Sequence, residues 1–264
     1  MKARDVISQA IRAASAGGEP ALVAFLTAGF PSRERFREHL HAVADGADVV
    51  EIGVPFSDPM ADGVTIQRSS EVALSQGVSL RWILKELEAM PAASAPLLLM
   101  SYLNPLLAYG LDELAQASVR ARVSGFIVPD LPYDEGAELR QALDAHGIAM
   151  VQMVTPVTRA QRMQQLCESS QGFVYAVTMT GTTGKNVAVP PEVMGYLDRV
   201  RSLAPVPVCA GFGIRTREQV QRLRGHVDGV VIGSALVEVL EREEAPTQWL
   251  RALRATAPEA RETG

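Results

Sequence analysis

Two carboxylates eleven residues apart offer the plainest chemistry in this chain. Glu51 stands in the middle of the apolar run VVEIG, and Asp62 lies on the Gly/Pro-rich loop that follows, PFSDPMADG. An ionised acid inside a strand gives up its hydration, so it is kept there either for a partner or for chemistry. A fixed acid on a strand and a second on a loop can serve as general acid and base around one substrate. Structural roles compete with that reading: Glu51 pairing with a core arginine, and Asp62 capping a helix that starts at Val64.

A second group of residues points to an anion. TMTGTTGKN (178–186), GFGIRT (211–216) and GSALVE (233–238) each follow a short apolar run. Glycines in such turns let backbone N–H groups approach a ligand with no Cβ in the way. Gly233-Ser234 opens a helix, whose free amides and positive dipole end favour a phosphate. Tyr102, Tyr175 and Phe212 lie at or in strand ends, where they either wall an apolar substrate or pack the core. The four histidines, 39, 41, 146 and 226, fall on helical stretches or their ends, which argues against a histidine metal site. Of the three lysines, 2, 85 and 185, none sits inside a strand, which disfavours Schiff-base chemistry.

The elements that must hold these groups alternate along the whole chain. Strands are expected at Leu22–Leu26, Val49–Gly53, Leu97–Met100, Gly125–Val128, Ala149–Val154, Val174–Val177, Val208–Ala210 and Gly229–Ile232. Each is short and continuously apolar, as strands buried on both faces of a parallel sheet are. Helical spacing predicts helices over Glu113–Arg122, Glu135–His146, Ala160–Glu168, Glu192–Leu203 and Arg217–Leu223. Ser32, Asp112, Asp134, Thr158 and Thr216 stand as expected N-caps. Eight strands separated by helices predict a (β/α)8 TIM barrel, one domain over 1–264, with an extra amphipathic N-terminal helix. The open doubly wound sheet is the alternative, and no G-x-G-x-x-G follows the first strand. In a barrel, Glu51 and Asp62 both fall at the C-terminal, catalytic end of the second strand.

Composition sets the wider limits. The 264 residues are 47 % hydrophobic and 21 % charged, with a net charge of −5. That balance carries no basic stripe for nucleic acid and no polybasic membrane signal. The N-terminal segment has charges throughout rather than an apolar centre, and no run approaches a membrane span. Cys167 and Cys209 lack CxxC spacing and read as core thiols in a reducing cytosol, so a cytoplasmic location is expected.

Taken together, the runs EIGVPFSDPMADGVTIQ (51–67), LLMSYLNPLLAYG (98–110), GFIVPDLPYDE (125–135), TGTTG (180–184), GFGI (211–214) and IGSALV (232–237) resemble the α subunits of tryptophan synthase. The likeness spans the chain from Phe25 to Leu240. It implies a barrel that cleaves indole-3-glycerol phosphate to indole and glyceraldehyde 3-phosphate without a cofactor or metal of its own. It also implies a β subunit that uses pyridoxal phosphate, joined in an α2β2 tetramer. On the matching positions, Glu51 and Asp62 would be catalytic. Phe25, Met100, Tyr102, Tyr175 and Phe212 would surround the indole. Thr183, Gly184, Gly213, Gly233 and Ser234 would complete the substrate site around the phosphate. Pro55, Phe56, Asp58, Pro129 and Asp130 would face the partner, Phe56 as an exposed anchor. Thr178-Met179 stands where many members carry Ser-Arg, which keeps two alternatives open: a free-standing lyase, and a non-catalytic paralogue that activates the β subunit.

Overall fold

A computed structural model describes residues 3–178, 191–211 and 213–254. Eight parallel strands close into a barrel in sequence order, with the last paired to the first. They are β1 (Ala21–Thr27), β2 (Val49–Gly53), β3 (Leu97–Met100) and β4 (Val123–Ile127). The second half supplies β5 (Ala149–Val154), β6 (Val174–Val177), β7 (Val208–Gly211) and β8 (Gly229–Ile232). The first seven helices are α1 (Ala3–Ser15), α2 (Phe36–Ala44), α3 (Val64–Ser75), α4 (Leu80–Ala89), α5 (Leu103–Tyr109), α6 (Leu111–Arg120) and α7 (Ala137–Ala145). The remainder are α8 (Ala160–Ser169), α9 (Pro191–Leu203), α10 (Arg217–Arg222), α11 (Ser234–Glu241) and α12 (Pro246–Arg254).

The apolar runs divide by parity. Val23, Val49, Leu98 and Val151 join a core inside the barrel, whereas their neighbours Leu22, Val50, Leu99 and Met150 pack outward beneath the helices. Side chains alternate across a strand, so both faces must be apolar, and the continuous pattern follows. The N-terminal helix closes the bottom: Ile7 and Ile11 of α1 belong to the interior core. Gly125 leaves room for it, since a Cβ there would stand 3.0 Å from Ile7 Cδ1.

The expected strands lie within a residue or two of the observed ones. β1 runs on because its backbone pairs with β2 as far as Thr27 against Gly53. The caps differ more. Of the five expected caps only Thr216 caps its helix, in a reciprocal capping box with Gln219. Three of the others turn to different partners, Asp134 pairing with Arg162, Thr158 accepting from the Thr155 N–H and Ser32 donating to Glu34, and Gly110 rather than Asp112 precedes α6.

Candidate active site

Glu51 has the parity of Val49, so β2 aims it into the barrel, in register between Phe25 of β1 and Leu98 of β3. It is 2 % exposed, and among the described residues it makes no ion pair and its Oε2 has no hydrogen-bond partner. The core-arginine alternative is therefore not what the fold provides. Burial raises the pKa of this carboxyl from its ordinary 4.5 to about 8, and the Asp62 carboxylate adds to the effect. Glu51 thus holds its proton at neutral pH in a dry setting.

Asp62 ends a tight turn, its N–H donating to the Pro59 carbonyl at 3.2 Å. The residue that caps α3 is Gly63, with no side-chain capping bond, so Asp62 is not the helix cap. Nor is it exposed, as the loop composition suggests; it is half-buried, and burial raises its pKa to about 6. A hydrogen bond from the Tyr102 hydroxyl works against that rise. At pH 7 the pair therefore offers a protonated Glu51 and an ionised Asp62, the two states an acid and an electrostatic partner require.

Tyr175 of β6 is buried beside them; burial, then Glu51, raise its pKa well above the ordinary tyrosine value. Phe25 and Met100 share a small apolar cluster with Phe30, Ile66, Val72 and Val237 at the mouth of the barrel. Space here is made by glycine. A Cβ on Gly53 would fall 2.5 Å from the Phe25 ring, and one on Gly211 would overlap the Tyr175 hydroxyl. Ile66, Val237, Gly53 and Gly211 escape a reading by motif. For the two glycines a signal exists, since each ends a strand on the inward parity, two residues beyond Glu51 and Cys209.

On the adjacent side, Gly213 sits at φ +81, a left-handed conformation that favours glycine, just beyond β7. Gly233 precedes the first turn of α11, and Ser234 begins it. Gly233 also lies beside the Phe25 cluster, its absent Cβ pointing within 3.8 Å of Phe25 and 3.6 Å of Ile66. Thr183, Gly184 and Phe212 fall outside the described residues, as does Met179.

Of the expected partner-facing residues, Asp58 and Asp130 are exposed, Pro129 is half-buried and Pro55 is buried. Asp130 accepts from the Leu103 N–H at 2.9 Å, tying the loop after β4 to α5. Phe56 differs from expectation. It is half-buried and stacked on Tyr102, with ring centroids 5.0 Å apart, because the loop folds back over β3. The exposed large apolar side chains on the loop after β2 and on α3 and α5 are instead Met60, Val64 and Leu107. Among the described residues no three His, Cys, Asp or Glu side chains cluster as a metal site requires, and no helix is long and apolar enough to cross a membrane.

Residues 11–263 match the family model described as tryptophan synthase alpha chain. The chain belongs to that family. It is 46 % identical over 253 residues to the tryptophan synthase alpha chain of Desulfovibrio desulfuricans, covering 93 % of this chain and 99 % of that one. It is 42 % identical over 236 residues to the alpha chain of Bacillus mycoides, covering 89 % and 92 %. Among solved structures it superposes on Mycobacterium tuberculosis tryptophan synthase with a TM-score of 0.83 and 36 % identity, covering 94 % of each chain. The subunit alpha of Legionella pneumophila gives 0.82 and 32 %, covering 96 % and 97 %. Tryptophan synthase alpha chains are lyases of tryptophan biosynthesis that cleave indole-3-glycerol phosphate. Those names favour neither a free-standing lyase nor a non-catalytic paralogue.

Proposed function

We propose that Glu51 and Asp62 carry the cleavage of indole-3-glycerol phosphate, and the observation that carries this reading is the buried Glu51 facing the barrel lumen beside Asp62, with no partner for its Oε2 among the described residues. Protonated Glu51 gives its proton to C3 of the indole. Positive charge then spreads to the ring nitrogen, whose N–H donates to ionised Asp62. Fixed charge placed where charge develops is worth several kcal/mol in a site without water. The Glu51 carboxylate next takes the proton of the side-chain hydroxyl as the C–C bond breaks, and the bonding pair returns to the ring. Indole and glyceraldehyde 3-phosphate leave, and Glu51 is again protonated. Both carboxylates act without a cofactor; pyridoxal phosphate belongs to the β subunit in this reading.

Phe25, Met100, Tyr102, Tyr175 and Phe212 wall the indole, and Thr183, Gly184, Gly213, Gly233 and Ser234 bind the phosphate end. The left-handed Gly213 and the open first turn of α11 support that assignment. The partner is a β subunit in a linear α–β–β–α complex with an internal route for indole. Pro55, Phe56, Asp58, Pro129 and Asp130 lie at or beside the contact, and the exposed Met60 on the same loop supports that placement. Residues 1–264 act as one barrel domain, a reading supported by the packing of α1 into the barrel and of α12 against α2.

Glu51→Gln and Asp62→Asn test the core of this proposal. Each variant is expected to bind substrate while losing indole release by about a thousandfold, the middle of the range for a lost acid or base. Release within a few-fold of the parent in either variant would remove that residue from the mechanism.

A further inference from the structure

The hydroxyl of Tyr102 already has work before any substrate arrives. Tyr102 follows β3 and stands as the N-cap residue of α5, so a strand end and a helix start fix its backbone. Its side chain is 3 % exposed. The hydroxyl accepts the Ala61 N–H at 2.9 Å, which sets it next to Asp62, whose charged form it favours. Its ring stacks on Phe56, five residues upstream of Ala61, so one loop is gripped at two points.

The remaining hydrogen bonds seen between Pro55 and Gly63 close within the loop or onto α3. Met60 N–H donates to Asp58, Asp62 N–H to Pro59, and Gln67 donates its side-chain amide to the Asp62 carbonyl at 2.8 Å. None of these anchors the loop to another strand, and none touches the Asp62 carboxylate. We infer that Tyr102 is a positioning residue for Asp62: its ring and hydroxyl fasten the loop after β2 to β3 and hold the Asp62 carboxylate aimed and ionised. The inference rests on the role proposed for Asp62 and adds a residue on which that role depends. A hydroxyl donating to a carboxylate favours its charged form, so losing the donor moves the acid's titration upward.

Tyr102→Phe keeps the ring and the stack on Phe56 and removes only the hydroxyl. Indole release by the full chain is measured from pH 5 to 9, with thermal melting alongside. The expected result is a kcat about tenfold lower, the scale of one hydrogen bond to a charged group. KM should stay within about twofold, and the acid limb of the kcat profile should move up by about one pH unit with the basic limb in place. An unmoved acid limb overturns the inference, because a merely structural role would lower activity without shifting that limb. Should Tyr102→Phe melt below the assay temperature, Phe56→Leu carries the test: loosening the ring's seat should move the acid limb the same way, and an unmoved limb again overturns the inference. Glu51→Gln in the same assay separates the two levels. A fully active Glu51→Gln defeats the acid–base reading itself, whereas an inactive one with an unmoved limb in Tyr102→Phe defeats the role of Tyr102 alone.

Discussion

Asp48, just before β2, and Glu51, inside it, stand three residues apart, and the fold treats them in opposite ways. Asp48, at the bottom of the barrel, accepts the Leu22 N–H at 2.7 Å and pairs with Arg254. Asp228 repeats the device before β8, accepting the Val208 N–H at 2.8 Å and pairing with Arg201 at 3.1 Å. Glu51, at the reactive end, has neither a cation nor a donor for its Oε2 among the described residues. A carboxylate given a backbone N–H and an arginine is tied into the structure. One left dry and unpaired is held ready to exchange a proton. The difference lies in what each strand end supplies, since the residue class is the same.

Swapping chemistry between the two ends gives the largest contrast. Where Glu51→Gln is expected to lose about a thousandfold in indole release, Asp228→Asn should leave kcat within about twofold, because the lost charge lies at the far end of the barrel from the reacting atoms. A large loss of kcat in Asp228→Asn at temperatures where it remains folded would break the distinction.

Stability should respond in the reverse sense. Asp228→Ala leaves the Val208 N–H and Arg201 unanswered and should cost about 1–3 kcal/mol, read as a lower midpoint in urea. Glu51→Gln should stabilise. Folded Glu51 keeps its proton to about 8, whereas an unfolded glutamate gives it up near 4.5. The folded chain therefore binds more protons between those values, and stability falls as pH rises through that window. Glutamine removes the penalty, so its melting temperature should exceed the parent's at pH 8 and approach it at pH 5. A constant difference across pH would mean that Glu51 is not perturbed.

A smaller effect is expected at the phosphate end. Ser234→Asp places a negative charge at the first turn of α11 and should raise KM for the phosphorylated substrate about tenfold, with binding of free indole hardly changed. Equal weakening of both ligands would contradict a dedicated phosphate site.

Much of this contrast was legible in the residues, and its limits are physical. Strands such as β2, β3 and β8 announce themselves because burial on two faces demands an unbroken apolar run, which makes a lone Glu51 conspicuous. The cap at Thr216 is readable because both halves of its box are local, with Gln219 three residues on. Asp62 and Phe56 are different. Their burial depends on Tyr102, some forty residues away just beyond another strand, and no pattern within the loop encodes that contact. Asp112 and Asp134 misled for a related reason, since a good capping residue near a helix start can be drawn to another partner or placed a residue or two off the cap, as Gly110 and Gly136 took those positions.

The central claim is that Glu51 rests protonated in a dry site at neutral pH, and infrared difference titration of the parent against Glu51→Gln tests it directly. The account predicts a carboxylic-acid carbonyl band, absent from the variant, that persists at pH 7 and disappears as pH rises through about 8. A Glu51 band that is already lost near 4.5, the ordinary value for glutamate, would contradict it.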